Sequence, residues 1–338
     1  MQTPSPRAAL AFSESDAPPR AAGPRIAVLV PCRNEVVAIA GVVRDFARHL
    51  PGATLYVYDN NSTDGTAAAA RAAGAVVRRE TRPGKGSVVR RMFADVEADI
   101  YVLIDGDGTY DAGTAPAMVR LLVEDGLDMV NATRVDEAAA AYRPGHRLGN
   151  AVLSGLVARL FGREITDMLS GYRVFSRRFV KSFPALATGF ETETEFTVHA
   201  LALRMPVGEH PSAYRERAAG SESKLRTVSD GLRILRTIVV LVKEERPLAF
   251  FAAAAGLLLA LAVLLALPVV ATFLRTGLVP RLPTAVLSTG LALLSFLALA
   301  CGLILDSVAR GRREVKRLAY LRLPGVAASG YGQPGKQG

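Results

Sequence analysis

The chain has no tryptophan and only two cysteines in its 338 residues. Cys32 follows a predicted strand, whereas Cys301 lies in an apolar run far along the chain. A disulfide between such separate regions is not expected, which argues against a disulfide-stapled secreted domain and agrees with a reducing compartment. Residues 1–24 lack an apolar core, so we expect a disordered tail rather than a signal peptide or a folded domain.

Charge is almost absent from two stretches, residues 248–272 and 283–305, which are rich in Ala and Leu. Each exceeds the roughly 20 residues that span a bilayer core of about 30 Å. We therefore expect two transmembrane helices joined by a loop at 273–282, because a soluble helix rarely runs this long without a polar stripe. The mean hydropathy of +0.24 agrees with contact with lipid.

Basic residues flank these two stretches, while the connecting loop holds only Arg275 and Arg281. The flanking bases are Arg233, Arg236, Lys243, Arg246, Arg310, Arg312, Arg313, Lys316 and Arg317. Because positive flanks stay in the cytosol, both termini and the N-terminal domain are expected on the cytosolic face of the inner membrane. The net charge of +10 suits contact with anionic headgroups. Nucleic-acid binding is not expected, since the bases lie at membrane ends rather than on an aromatic-rich face.

Apolar runs alternate with segments of helical periodicity from residue 25 onwards. Strands are predicted at 25–30, 54–58, 75–78 and 101–104, with helices between them. This repeated order predicts an α/β fold with a mostly parallel, doubly wound sheet. A segment at 229–247, where basic and apolar residues alternate, is expected to form an amphipathic helix in the membrane interface.

Asp105 and Asp107 end the fourth predicted strand one residue apart. Residues at i and i+2 of a strand point the same way, and the flanking glycines let the chain turn. Mg²⁺ is typically held by one or two carboxylates plus substrate phosphates, so the pair predicts a metal site for a nucleoside diphosphate. A solvated turn is the alternative. An EF-hand loop is excluded, because Tyr110 and Pro116 stand where Gly and Glu are required.

Polar residues also follow the other predicted strands. Glu35, Asp59 and Lys85 are expected to rim one crevice with the two aspartates, because open α/β sheets bind ligands at the carboxyl ends of their strands. The turn Gly84–Gly86 has the spacing of neither a dinucleotide fingerprint nor a Walker loop. Lys85 is therefore interpreted either as a phosphate or carboxylate contact or as part of a solvated turn.

Five segments occur in the order seen in glycosyltransferase family 2, and the chain resembles that family over about residues 25–245. They are Pro31–Glu35 (PCRNE), Asp59–Thr66 (DNNSTDGT), Gly84–Gly86 (GKG), Asp105–Asp107 (DGD) and Asp167–Arg173 (DMLSGYR). The chain is most similar to the dolichyl-phosphate mannose synthases and the bacterial polyprenyl-phosphate glycosyltransferases. The resemblance implies a GT-A catalytic domain at 25–228, a transmembrane hairpin and a basic cytoplasmic tail at 306–338.

The resemblance also implies roles for individual residues. Asp107 would hold Mg²⁺ or Mn²⁺ on the nucleotide diphosphate, Asp105 would assist at the metal and the donor, and Thr109 would approach the metal. The implied donor pocket consists of Pro31, Arg33, Glu35, Asp59, Asn61, Lys85 and Asp105.

Basic residues resemble the part of these enzymes that binds the acceptor phosphate. Arg134 and Arg147 would act in catalysis beside the two aspartates, and the acceptor phosphate would be bound by Arg134, Arg147, Asn150, Arg217 and Lys224. Each basic side chain could instead face lipid headgroups, and His146 could merely extend the positive surface.

Segment 190–196 leaves two alternatives open. Thr192 and Glu195 fit a capping box that would begin a helix. Glu191 or Glu193 could instead approach the active site as a base. A base is not strictly required, since a lipid monophosphate is already ionised near neutral pH.

These features predict an inverting, metal-dependent transfer of a hexose from a UDP- or GDP-linked sugar to a polyprenyl phosphate. The alternatives are a different lipid acceptor, or a non-catalytic, membrane-tethered protein that binds nucleotide sugars. A processive polysaccharide synthase is disfavoured, because those enzymes resemble one another in a Gln-x-x-Arg-Trp motif and tryptophan is missing here. Small residues in the apolar runs would also allow protomers to pack into a dimer or tetramer.

Overall fold

A mostly parallel sheet forms the centre of the N-terminal domain. The computed structural model describes residues 23–136, 155, 165–186, 189, 191–215, 239–240 and 242–326. Within them the strands are β1 (Ile26–Cys32), β2 (Thr54–Asp59), β3 (Val76–Arg79), β4 (Ile100–Leu103), β5 (Met129–Asp136), β6 (Arg173–Ser176) and β7 (Val207–Tyr214). Their order is β3-β2-β1-β4-β6-β5-β7, and β6 alone runs antiparallel to its neighbours. The predicted α/β class with a mostly parallel sheet is thereby confirmed.

Helices cover both faces of this sheet. They are α1 (Ile39–His49), α2 (Thr66–Ala72), α3 (Lys85–Asp95), α4 (Ala115–Glu124), α5 (Arg177–Ser182) and α6 (Thr192–Ala202). Val28 and Val30 pack on the face covered by α1, α2 and α4, while Leu29 packs on the face covered by α3, α5 and α6. The unbroken apolar sequence of β1 follows from this burial on both faces.

The antiparallel strand β6 explains how a distant segment reaches the site. Its first residue, Arg173, pairs with Leu103 at the carboxyl end of β4, and its last, Ser176, pairs with Ile100. The preceding segment 167–172 is therefore delivered to the carboxyl edge of the sheet, beside the residues that follow β4.

Two long helices, α7 (Pro247–Thr276) and α8 (Leu282–Leu321), follow the domain. Both are long and apolar enough to cross a membrane, and only 11% of the most apolar window of each is buried. A core helix of a soluble protein would be mostly buried, so these exposed apolar surfaces indicate membrane association. The predicted spans lie within the two helices, but the connection is only 277–281, and α8 continues to Leu321.

The two helices pack through small residues. Buried positions recur every seven residues, which is the period of left-handed helix packing: Ala255, Ala262 and Val269 on α7, and Ser288, Ser295, Gly302 and Ala309 on α8. The Ser295 hydroxyl donates to the Ala255 carbonyl at 2.8 Å. A Cβ atom at Gly302 would lie 2.9 Å from Cβ of Phe251, so this position requires glycine for close approach.

Candidate active site

The loops after β1 and β2 hold one another at the carboxyl edge of the sheet. Asn34 donates its backbone N–H to the Ser62 hydroxyl and accepts the Thr63 N–H on its side chain, each at 2.9 Å. The backbone N–H of Glu35 donates to the Thr66 hydroxyl at 2.9 Å. These cross-links between the two loops make a preformed rim, in which the predicted donor residue Glu35 is buried.

The loop after β2 is also tied to the loop after β3. The side-chain amide of Asn60 donates to the carbonyls of residues 80 and 82 and accepts the N–H of Gly84. Asn61, at a positive φ of 61°, donates to the Thr81 carbonyl at 2.9 Å. Asn61 therefore has a clear structural role, and its predicted contact with the donor stays a prediction. Asp59 is buried at this edge and accepts the Ser62 N–H.

Asp105 and Asp107 lie at the same edge, as the strand pattern predicts. Asp107 is only 5% exposed and accepts both the hydroxyl of Thr109 at 2.7 Å and its N–H at 3.2 Å. The Asp105 side chain is 31% exposed. Carboxylate and hydroxyl oxygens are hard donors that suit Mg²⁺ or Mn²⁺. Within the part of the chain that the structure describes, no cluster of three acidic, His or Cys side chains forms.

Lys85 forms an ionic bridge between Asp105 and Glu193. Its Nζ lies 2.5 Å from Oδ1 of Asp105 and 2.5 Å from Oε1 of Glu193. Burial opposes the charged ammonium, but the two carboxylates outweigh it and hold the pKa of Lys85 above its usual range. Burial also disfavours the charged form of Glu193 and raises the pKa of this carboxyl, although the neighbouring Lys85 acts in the opposite direction. The Oε2 atom of Glu193 is buried, and no group among the described residues donates to it.

The start of α6 tests one of the two alternatives left open by the sequence there. The predicted capping box is wrong: the Thr192 hydroxyl donates to the Gly189 carbonyl, and Glu195 accepts the Leu186 N–H. Glu191 occupies the N-cap position of α6 and makes no side-chain cap bond there. Glu193, in the first turn of α6, pairs with Lys85, and a role of Glu191 or Glu193 as a base stays a prediction.

Segment 167–173 packs directly against the aspartates. A Cβ atom at Gly171 would lie 2.2 Å from Oδ2 of Asp105, so the absence of a side chain there leaves room for the carboxylate. The Gly171 N–H donates to the hydroxyl of Tyr110 at 2.9 Å. Arg173 is fully buried, donates to the carbonyls of Met168 and Ser170, and so fixes this segment. Burial lowers the pKa of Arg173 to about 10.

Arg134 at the carboxyl end of β5 pairs with Asp167. Its Nε and Nη2 donate to the two carboxylate oxygens of Asp167 at 2.7 and 2.8 Å. Burial opposes ionisation of Asp167, but Arg134 outweighs it and holds the pKa of this carboxyl below its usual range. The guanidinium also stacks 5.5 Å from the ring centroid of Tyr214. The resemblance predicts a phosphate contact for Arg134 but gives no indication of this pairing, and the phosphate contact stays a prediction.

A cavity of about 500 Å³ opens beside the aspartates. Asp105, Asp107, Asp111, Arg215 and one face of α1 line it. Its size falls within the range of small-molecule sites. Arg33 lies exposed at the same edge, and Pro31 lies buried within β1. Four predicted acceptor residues, Arg147, Asn150, Arg217 and Lys224, lie outside the described residues, as does His146.

Comparisons with known proteins agree with this geometry. Residues 27–183 match the model of the family described as glycosyl transferase family 2. Glycosyltransferase AglJ of Haloferax volcanii is 34% identical over 232 residues, which cover 67% of this chain and 75% of AglJ. A dolichyl-phosphate hexose transferase of the same organism is 29% identical over 65% of this chain and 95% of its own length.

The fold matches a solved enzyme as well. The crystal structure of glucosyl-3-phosphoglycerate synthase from Mycobacterium tuberculosis, in complex with Mn²⁺, UDP and glucosyl-3-phosphoglycerate, superposes with a TM-score of 0.54 at 25% identity. The match covers 65% of this chain and 80% of that one. With its sheet order, its paired aspartates and these relatives, the chain belongs to glycosyltransferase family 2 and is a glycosyltransferase with a GT-A-like fold.

Proposed function

We propose that the protein transfers a hexose from a nucleotide sugar to a polyprenyl phosphate, with inversion at the anomeric carbon. The observation that carries this proposal is the pair Asp105 and Asp107 at the carboxyl edge of the sheet, in a chain that also has two exposed apolar helices. The pair supports binding of a metal-bound diphosphate. The helices support an acceptor that resides in lipid.

The donor would bind in the crevice between the loops after β1, β2 and β4. Glu35 and Asp59 are buried on the rim and suit hydrogen bonds to a nucleoside, while Lys85 holds Asp105 in place. Asp105, Asp107 and Thr109 would hold Mg²⁺ or Mn²⁺. When bound, the ion would offset the charge that develops on the leaving nucleoside diphosphate. The Mn²⁺ and UDP bound to the mycobacterial synthase support this assignment.

The acceptor phosphate would meet arginine and lysine side chains. Arg134 is held at the carboxyl edge by Asp167, so its positive charge would face the acceptor phosphate at low entropic cost. Arg147, Asn150, Arg217 and Lys224 complete the proposed set. A phosphate monoester oxygen is already ionised, so it can attack the anomeric carbon in line without transfer of a proton to Glu193. The relative named dolichyl-phosphate hexose transferase supports this class of acceptor.

The apolar helices would keep the enzyme at the inner face of the cytoplasmic membrane. Arg310, Arg312 and Arg313 follow the apolar part of α8, and basic flanks favour the cytosol. Both termini and the catalytic domain would then face cytosolic nucleotide sugars. Both UDP- and GDP-linked hexoses are candidate donors.

A transfer assay tests the proposal. The purified full-length chain, reconstituted in vesicles with undecaprenyl phosphate and Mg²⁺, is incubated with a panel of UDP- and GDP-linked hexoses, and products are identified by mass. We expect one hexosyl-phosphoryl-polyprenol, its loss on chelation of the metal, and at least a hundredfold slower transfer by Asp107→Asn.

The control is Asp125→Asn, a change at an exposed position after α4, which should leave the rate unaltered. A glycosylated diacylglycerol or sphingolipid-like product, with no product on the polyprenyl phosphate, would favour the alternative acceptor. Donor binding with no transfer to any lipid would support the non-catalytic alternative.

A further inference from the structure

Helix α8 continues well beyond its apolar part and lies against the catalytic domain. We call residues 306–321 the α8 extension. At 1.5 Å per residue it is about 24 Å long. Its Lys316 pairs with Glu245 at 3.6 Å, and its Arg312 donates to the Glu244 carbonyl at 3.1 Å, both in the segment just before α7.

The end of the α8 extension binds a fully buried carboxylate. Tyr320 donates its hydroxyl to Oδ2 of Asp128 at 2.8 Å. Oδ1 of Asp128 accepts the Ser176 hydroxyl at 2.7 Å and also the Nε of Arg178. The Arg178 guanidinium stacks 4.9 Å from the centroid of the Tyr320 ring. Removing one donor would leave this buried carboxylate less satisfied, which makes the contact specific rather than a chance surface association.

Asp128 lies at the edge of the sheet opposite the active site. It immediately precedes β5, and Ser176 ends the antiparallel strand β6, so both belong to the amino edge of the parallel strands. The aspartates of the site follow the carboxyl end of β4. The α8 extension therefore ends at the edge of the sheet opposite Asp105 and Asp107.

Tyr320 of the α8 extension packs against the core cluster that contains Phe179 of α5 and Phe196 of α6, so the extension reaches that face of the sheet. Helix α6 begins near the carboxyl edge, where Glu193 pairs with Lys85, and β7, which follows it, begins at the amino edge. Tyr320, near the end of the α8 extension, contacts Asp128 at the amino edge. A strand of eight residues spans about 26 Å, nearly the length of the α8 extension. An extension that runs from Tyr320 back along the strands would bring the end of the apolar part of α8 level with the carboxyl edge.

We propose that docking of Tyr320 on Asp128 and Arg178 fixes the catalytic domain with its carboxyl edge toward the bilayer, which makes Tyr320 a positioning residue for transfer to a membrane-embedded acceptor. This inference rests on the proposed function for its effect on transfer, but the docking and the orientation are physical properties that are measured separately. A site facing the bilayer lets a lipid phosphate reach the donor without leaving the headgroup region.

Transfer by Tyr320→Ala and Tyr320→Phe is compared for two acceptors, undecaprenyl phosphate in vesicles and a short, water-soluble polyprenyl phosphate. We expect Tyr320→Ala to lower kcat/KM for the bilayer acceptor about tenfold while the value for the soluble acceptor changes less than twofold. Tyr320→Phe keeps the ring on Arg178 and should fall between. Leu321→Ala, an exposed neighbour, serves as the control.

Orientation is measured without reference to activity. In chains whose native cysteines are replaced by alanine, a fluorophore is attached at Thr63→Cys on the carboxyl edge or at Asp125→Cys on the amino edge, both exposed. Nitroxide-headgroup lipids should quench the label at residue 63 much more than that at 125, and Tyr320→Ala should reduce the difference.

Three results would overturn the inference: equal losses for both acceptors, unchanged rates for both, or equal quenching at the two positions in the parent chain. If the parent chain transfers to neither acceptor, the proposed function fails, but the quenching experiment still decides the orientation.

Discussion

The position of the Asp105 carboxylate is closely restricted by its neighbours. Lys85 holds one of its oxygens, and Gly171 leaves room for the other. The variant Gly171→Ala should push the carboxylate aside and slow transfer about a hundredfold, because a displacement of about 1 Å in a catalytic group can cost this much. Initial rates with saturating donor provide the measurement. Gly256→Ala, where the added methyl meets no atom within 4 Å, should behave like the parent chain.

The ammonium of Lys85 neutralises two carboxylates that would otherwise repel each other. Lys85→Met should destabilise the fold by about 3 to 5 kcal/mol, since it leaves buried charges without their partner. Adding Glu193→Gln should recover part of this loss, because only Asp105 then needs compensation. Thermal unfolding of the single and double variants measures the coupling. Strict additivity of the two substitutions would show that Lys85 does not bridge the carboxylates.

The imidazole of His199 makes stability depend on pH. It is buried against Phe179 and Phe183, and its Nε2 lies 3.1 Å from the Ser182 hydroxyl. Burial, with a further contribution from Lys316, lowers its pKa to about 3. The unfolded chain therefore binds a proton that the folded chain does not between about pH 6.5 and 3.

Within this range, protonation of His199 in the unfolded chain should lower the free energy of unfolding by about 1.4 kcal/mol for each pH unit of acidification. His199→Gln should flatten that part of the profile, as measured by thermal unfolding at pH 7, 6 and 5. An unchanged slope in the variant would assign the pH dependence to other groups.

At this scale the sequence predicts part of the site and misses part. Glu35, Asp59, Lys85 and the aspartates share one edge because carboxyl ends of parallel strands do so in any sheet of this type. The contact of Gly171 with Asp105 and the pairing of Arg134 with Asp167 depend on the antiparallel direction of β6, which no local pattern reveals.

At the scale of helices and strands, the sequence pattern predicts where an element forms better than it predicts the residues at which that element begins and ends. Helix α1 begins at Ile39, after a turn in which the Glu35 carbonyl accepts the N–H groups of residues 38 and 39. Strand β1 extends two residues beyond its predicted end, since Pro31 and Cys32 continue the pairing with β2. Such ends are set by tertiary hydrogen bonds.

The close packing of α7 against α8 leads to a prediction for variants with a larger side chain at the contact. Gly302→Leu should separate the pair, because a Cβ at this position meets Phe251 at 2.9 Å and apolar lipid supplies no compensating hydrophobic force. A lower unfolding temperature in detergent, together with a larger distance between labels on the two helices, provides the measurement. Gly290→Leu adds the same bulk where no atom lies within 4 Å and should pack normally. Equal behaviour of the two variants would contradict packing at Gly302.

For the whole molecule, the sequence predicts the order of a catalytic domain followed by two apolar helices, and the family comparison agrees with it. The docking of the α8 extension on Asp128 lies beyond sequence reasoning, because Tyr320 and Asp128 are 192 residues apart. The cytosolic orientation, the predicted domain boundaries and the dimer or tetramer stay predictions, since they concern a membrane and partner chains.

The most direct measurement is equilibrium binding of radiolabelled UDP and GDP to the full-length chain, with and without Mn²⁺. If Asp105 and Asp107 hold a metal on the diphosphate, one nucleotide should bind at least tenfold more tightly with Mn²⁺. Asp107→Asn should abolish that gain, whereas Asp125→Asn should retain it. Binding that is independent of the metal and equal in all three proteins would contradict a metal-bound sugar nucleotide at this pair of aspartates.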